Sequence, residues 1–216
     1  MDFQKKAQTN MHDSATQTIP KSVTNSSSSL IPSEEHSSRT EISEWYRFLS
    51  DLPEINTSDA AHHLREAYVF GSRRSDDPRT QTSAVIVSGN SKAFGTNRLP
   101  GAVKILAERL TPENKGRYLI HAERDAVCSA AAHGVRTARQ TMYAPYACCE
   151  QCAHAIIGAG LHELVIHSPV MRQAPARWRD TIKLGLSLCL EAGIRVQQYP
   201  NLLEISSLFD GKHMNF

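Results

Sequence analysis

The chain lacks any apolar run near the roughly 18 residues that cross a bilayer, and its opening stretch, MDFQKKAQTNMHDS, has no hydrophobic block of the secretory kind. No membrane partner and a soluble protein are therefore expected. A strong charge of one sign is also missing: 24 Lys and Arg stand against 22 Asp and Glu, for a formal net charge of +2. Without a global basic field, long nucleic acid is not the expected partner. Cysteine is sparse and odd in number, with Cys128, Cys148, Cys149, Cys152 and Cys189 making five. That count speaks against a disulfide framework and for a reducing, cytoplasmic setting. No repeat of fixed period is present, and 216 residues with 40% hydrophobic content suit one full-sized core.

Residues 1–41 are rich in Ser, Thr, Asn and Gln, with too little periodic apolar content to offset the entropy of ordering them, so a disordered tail is expected. Asp2, Asp13, Glu34 and Glu35 are wrong for a transit peptide. The domain proper is expected over 42–205, followed by a short tail over 206–216. SEWYRFLSDL and SDAAHHLREAYVFGSRRS carry helical spacing, with Thr57 or Ser58 as a cap. TSAVIVSGNSKAFGTN is two β-rich runs around Gly89-Asn90, which predicts an antiparallel hairpin. Beyond an irregular segment, strands and helices alternate: a helix from His121 stopping at Gly134, a strand in QTMYAPYA, a helix in CEQCAHAIIGAG, a strand in HELVIHS, a long helix in PARWRDTIKLGLSLCLEAG and a strand in IRVQQYP. A hairpin followed by such alternation implies an α/β fold, a three-layer α/β/α sandwich on a mixed sheet.

Candidate chemistry falls at two helix starts. Cys149 and Cys152, three apart where the helix dipole and free N–H groups favour thiolates, can aim both sulfurs at one point. His121 can add a nitrogen, leaving a fourth tetrahedral position open, as in catalytic rather than structural zinc sites. Glu123, two residues on, would stand beside that position as a proton carrier. On spacing alone, a redox C-x-x-C pair and a closed structural zinc site also remain open. Cys128 and Cys189 read as packing residues in apolar helical segments, and His133, His154, His162 and His167 as surface or satisfied core histidines.

His121-Ala122-Glu123 followed by Cys149-Glu150-Gln151-Cys152 resembles the H-x-E and C-x-x-C signature of the zinc-dependent cytidine and deoxycytidylate deaminase superfamily. SDDPRTQTSAVIVS, GTNRLPGAV and AIIGAGLHELVIH are similar to segments of the deoxycytidylate (dCMP) deaminase branch, and the likeness covers roughly 66–199. The resemblance implies a cytidine deaminase-like fold and Zn2+ held by His121, Cys149 and Cys152. It further implies Glu123 as the catalytic acid and base, and hydrolytic deamination of a small cytosine nucleotide, dCMP to dUMP with release of ammonia. It makes Asn97 the sugar contact and the backbone at Ala122 a holder of the pyrimidine. A homo-oligomer is implied as well. Other nucleoside, nucleotide or nucleic-acid bases are alternative substrates, and a catalytically silent zinc or nucleotide binder is the alternative role. Three positions depart from the pattern: Cys148 replaces the Pro usual before the first zinc cysteine, Asp125 an Asn, and Ile120 an acidic residue. They bear on substrate choice more than on the metal ligands.

Overall fold

Branched and aromatic runs make the strands, and Ala-rich or amphipathic runs make the helices that cover them. The computed structural model describes residues 34–216. Two helices come first, α1 (Glu34–Ser50) and α2 (Ser58–Arg74), the second capped by Thr57, whose side chain accepts from the Ala60 amide at 3.2 Å. Strands β1 (Ser83–Ser88) and β2 (Ser91–Thr96) form the expected hairpin, turning at Gly89 with φ of 59°. There follow α3 (Lys115–Tyr118), α4 (Ala122–His133), β3 (Thr141–Ala144), α5 (Glu150–Gly158), β4 (Glu163–His167), α6 (Ser168–Met171), α7 (Ala176–Glu191) and β5 (Arg195–Tyr199). Gly134, left-handed at φ 66°, stops α4 as its sequence predicts.

The sheet runs β2-β1-β3-β4-β5, antiparallel across β2, β1 and β3 and parallel from β3 to β5. Successive strand residues face opposite sides. Ser83 of β1 donates from its hydroxyl to Ala67 O on α2, while Gly95, paired with the next residue Ala84, lies against the backbone of α4. Helix α2 therefore covers one face and α4 the other, with α5 packed beside α4 and α7 beside α5. This is the expected mixed sheet between two helical layers. Ile86, Met142, Leu164, Ile166, Leu64 and Leu186 are among the fully buried side chains of its core.

Two boundaries differ from expectation. Residues 1–33 of the expected tail lie outside the described residues, but α1 begins at Glu34, so 34–41 are helical. Residues 206–216 are no tail: β6 (Ser206–Phe209) and β7 (Lys212–Asn215) pair around Asp210-Gly211, and Phe216 is 1% exposed. Asp210 and Gly211, at φ 48° and 79°, take the left-handed pair of values that a two-residue hairpin turn needs. Stacking of Phe216 on Tyr68 of α2, with ring centroids 5.7 Å apart, fastens this hairpin to the domain.

Candidate active site

Three donor atoms meet where α4 and α5 begin. His121 is the residue before the first turn of α4, Cys149 the residue before the first turn of α5, and Cys152 lies in that turn. The Nδ1 of His121 stands 3.5 Å from Cys149 Sγ and 3.6 Å from Cys152 Sγ. Zinc at normal bond lengths puts tetrahedral nitrogen and sulfur ligands about 3.6 Å apart, so this donor set fits Zn2+ in spacing and in chemistry. Cys148 is not part of the cluster. It is fully buried, its sulfur 3.9 Å from that of Cys189, where it fills the place of the usual Pro by packing against α7.

Close backbone approach holds both helix starts in place. A Cβ on Gly95 would fall 2.0 Å from Ala126 N, and one on Gly185 of α7 would fall 2.4 Å from Cys148 O. Only glycine lets α4 press on β2, and α7 on the Cys149 backbone, at these points.

Hydrogen bonding from the Cys152 thiol, then from His121, lowers the Cys149 pKa to about 4, and Cys152 correspondingly keeps its proton. Facing the Cys149 thiolate raises His121 despite its burial. The cluster is thus arranged to hold negative sulfur, as a cation site requires. Glu123, 6% exposed, lies two residues past His121 outside the donor cluster, and burial raises its pKa.

Beside the cluster is a cavity of about 60 Å³ lined by His121, Ala122, Glu123, Cys149 and Asn97, together with Thr80, Thr82, Ser83, Tyr146, Ala147 and Ile182. All the residues expected at the site except Cys152, which sits behind the wall, line this one space. Asn97 is well determined: its Oδ1 accepts from Ala122 N at 3.1 Å and its Nδ2 donates to Thr80 O at 3.2 Å. Both groups expected to meet substrate thus meet each other. A second cavity of about 80 Å³, lined by Asp77, Lys115, Gly116, Leu119 and Trp178, shares Asn97 and His121 with the first. Asp77, 4% exposed, accepts from the Arg79 and Thr80 amides and from Lys115 Nζ, and so shapes the loop between them.

Other positions fall elsewhere. Asp125 accepts from Thr96 N and from Arg98 Nε at 2.7 Å and lines a separate cavity, as do Arg74 and Phe70. Cys128 is exposed, contrary to the packing role expected of it, because it lies on the side of α4 away from the buried Ala122, Ala126 and Ala130. His167 is a satisfied core histidine between the Tyr68 hydroxyl and Asn201 O. His62, His63 and Glu66 form another possible donor group, but Lys92 Nζ already holds both Glu66 oxygens at 2.7 and 2.8 Å. Sequence reasoning gave no site role to Tyr146, Ile182, Thr80 or Thr82; the first two carry no motif, while Thr80 and Thr82 lie in SDDPRTQTSAVIVS, noted only as a family-like segment.

Residues 57–168 match the family model described as the cytidine and deoxycytidylate deaminase zinc-binding region. Human deoxycytidylate deaminase is 33% identical over 107 residues, 46% of this chain and 59% of that protein, and the mouse deoxycytidylate deaminase matches to the same extent. The chain thus spans 59% of the length of these curated relatives. The dCMP deaminase of cyanophage S-TIM5 in apo form superposes with a TM-score of 0.51 at 17% identity, covering 67% of this chain and 99% of that one. Its complex with dCMP and dUMP gives 0.50 at 18%, with the same coverage. At such identity these two structures speak for the shared fold.

Proposed function

The chain belongs to the cytidine and deoxycytidylate deaminase family, and on that premise we propose that it hydrolyses the 4-amino group of a cytosine nucleotide, converting dCMP and water to dUMP and ammonia. The observation that carries this reading is the meeting of His121 Nδ1, Cys149 Sγ and Cys152 Sγ at 3.5 and 3.6 Å beside a buried carboxylate that is not one of them. A closed structural site has no use for Glu123 in the adjoining cavity. A redox pair has no use for the imidazole between the two sulfurs.

His121, Cys149 and Cys152 would hold Zn2+, which when bound supplies a Lewis acid that lowers the pKa of water to about 7. Glu123 takes a proton from the attacking water and passes it to ring N3 as the bond to C4 forms. It then carries the second proton to the amine that leaves C4. Asn97 exchanges its contact with Ala122 N for the nucleotide sugar, and the freed backbone at Ala122 holds the pyrimidine. In this reading the protein works on the nucleotide pool of the cytoplasm as a homo-oligomer.

The test is ammonia release from dCMP, CMP, deoxycytidine and cytidine by the zinc-loaded protein, beside Glu123→Gln. Turnover should be greatest on dCMP, and Glu123→Gln should keep one zinc per chain while kcat falls by about 10²- to 10⁴-fold. Silence on all four substrates, or an active Glu123→Gln, defeats the proposal.

A further inference from the structure

Tyr146 lines the cavity with Glu123, Asn97 and Cys149, and its hydroxyl is buried with no hydrogen-bond partner. Buried hydroxyls are paired as a rule, and an unpaired one costs about 1–3 kcal/mol. The ring cannot easily turn to relieve this cost. Phe209 packs edge-on against it at 4.9 Å, and Phe216 backs Phe209 at 6.3 Å. The C-terminal hairpin therefore holds the phenol in the wall of the cavity without giving its oxygen a partner.

Where that oxygen sits suggests what it meets. The charged groups that act on it are Arg177 and Arg179 of α7, Asp210 of the hairpin turn, and Glu123 beside the zinc ligands. Asp210 marks the rim because its amide donates to the Thr80 hydroxyl at 3.3 Å, its backbone carbonyl accepts from Arg79, and its carboxylate pairs with Arg177. Glu123 marks the base end of the proposed substrate. Tyr146 lines the same cavity as Glu123 and as Thr80, the residue that Asp210 touches, and so faces the part of a nucleotide beyond the base. Burial also keeps the phenol neutral, so it serves as a hydrogen-bonding group and not as a charge.

We propose that the Tyr146 hydroxyl hydrogen-bonds the 3′-hydroxyl of the bound nucleotide, making Tyr146 a specificity-determining residue for the sugar. This assignment rests on the deaminase reading of the same cavity. It also accounts for the orphaned oxygen, since substrate supplies the partner that the protein withholds.

The experiment compares wild type and Tyr146→Phe on dCMP and on 2′,3′-dideoxycytidine monophosphate, with zinc content and thermal melting of both proteins. The substitution removes one oxygen and keeps the ring against Phe209. Tyr146→Phe should hold one zinc per chain, melt no lower than wild type, and lose about three- to tenfold in kcat/KM on dCMP, chiefly through KM, as one neutral hydrogen bond implies. On the dideoxy analogue the two proteins should be equal. Equal kcat/KM on dCMP overturns the proposal, and so does an equal loss on both substrates, which would place the contact away from the 3′-hydroxyl. A lower melting temperature with unchanged KM would make Tyr146 structural. Failure of the deaminase reading shows instead in the wild-type protein, as no turnover of dCMP and no calorimetric binding of dUMP.

Discussion

The floor and the rim of the cavity are held by different physics. On the floor, the ligand-bearing starts of α4 and α5 are fixed by backbone against backbone at Gly95 and Gly185, where one added carbon would fall 2.0 and 2.4 Å from its nearest neighbour. At the rim, Tyr146, Phe209 and Phe216 are fixed by ring against ring, and Arg79 and Arg177, 44% and 56% exposed, share the carboxylate of Asp210. Steric backbone contact is stiff, whereas the solvent-screened ion pairs of Arg79 and Arg177 give way at small cost. The cavity holds about 60 Å³, well below the roughly 300 Å³ at which ligand pockets usually begin. On the deaminase reading, a nucleotide would enter by displacing the ion-paired arginines of the rim while the floor stays preorganised for chemistry.

The rim hangs chiefly on Phe216, which touches Tyr68, His167 and Phe209. Phe216→Ala should cost about 3–5 kcal/mol in urea unfolding, the range for truncating a buried aromatic. The folded fraction should keep its zinc and bind dCMP more weakly, because Tyr146 loses its backing. Loss of zinc in parallel with stability would break the distinction between rim and floor.

The floor was legible because local chemistry dictates it: thiolates three apart at a helix start and H-x-E at another are short-range patterns, and Ala122, Ala126 and Ala130 mark the buried side of α4 at helical spacing. The rim was not, since Tyr146 and Phe209 lie 63 positions apart in sequence and meet only through tertiary packing. One signal was present and went unused. Asp210-Gly211, between SSLF and KHMN, is a strong two-residue hairpin turn, but the strands it joins are only four residues each and stand out little from a tail. Cys128 was misplaced for the opposite reason: Ala-rich helices look apolar all round, so composition hides which side is wet.

Acid should loosen the rim before the floor's geometry is touched. Burial lowers the His167 pKa from 6.5 to about 4, and the neutral ring packs against Phe216 at 6.2 Å. The unfolded chain takes up a proton near pH 6.5, whereas the folded one refuses it until about pH 4. The stability this supplies is complete above pH 6.5 and is lost as pH falls towards 4. Its full size is about 3 kcal/mol from the two pKa values. Urea titrations from pH 7.5 to 4.5 should show that slope in wild type and a flatter one in His167→Gln. Parallel slopes would mean that zinc release alone governs the acid response.

The smallest expected effect bears on the floor. Gly185 lies within α7, where alanine is ordinarily the better helix former by about 1 kcal/mol. Propensity alone therefore predicts that Gly185→Ala is stabilising. The added Cβ, however, would stand 2.4 Å from Cys148 O and 2.6 Å from Cys149 C, closer than any real contact, so either α7 or the Cys149 backbone must retreat. Moving Cys149 pulls one sulfur off the 3.5 Å spacing it keeps with His121. Zinc affinity should fall about 10- to 100-fold, the range seen when the support of a metal ligand is disturbed, as measured by competition with a chromophoric chelator. The hairpin is held mainly by its rings against Tyr68, Tyr146 and His167 and meets α7 through the exposed Arg177–Asp210 pair, so protease sensitivity around residues 206–216 should stay near the wild-type level. Unchanged zinc affinity would show that the floor yields as readily as the rim, and the stiffness attributed to its backbone contacts would be wrong.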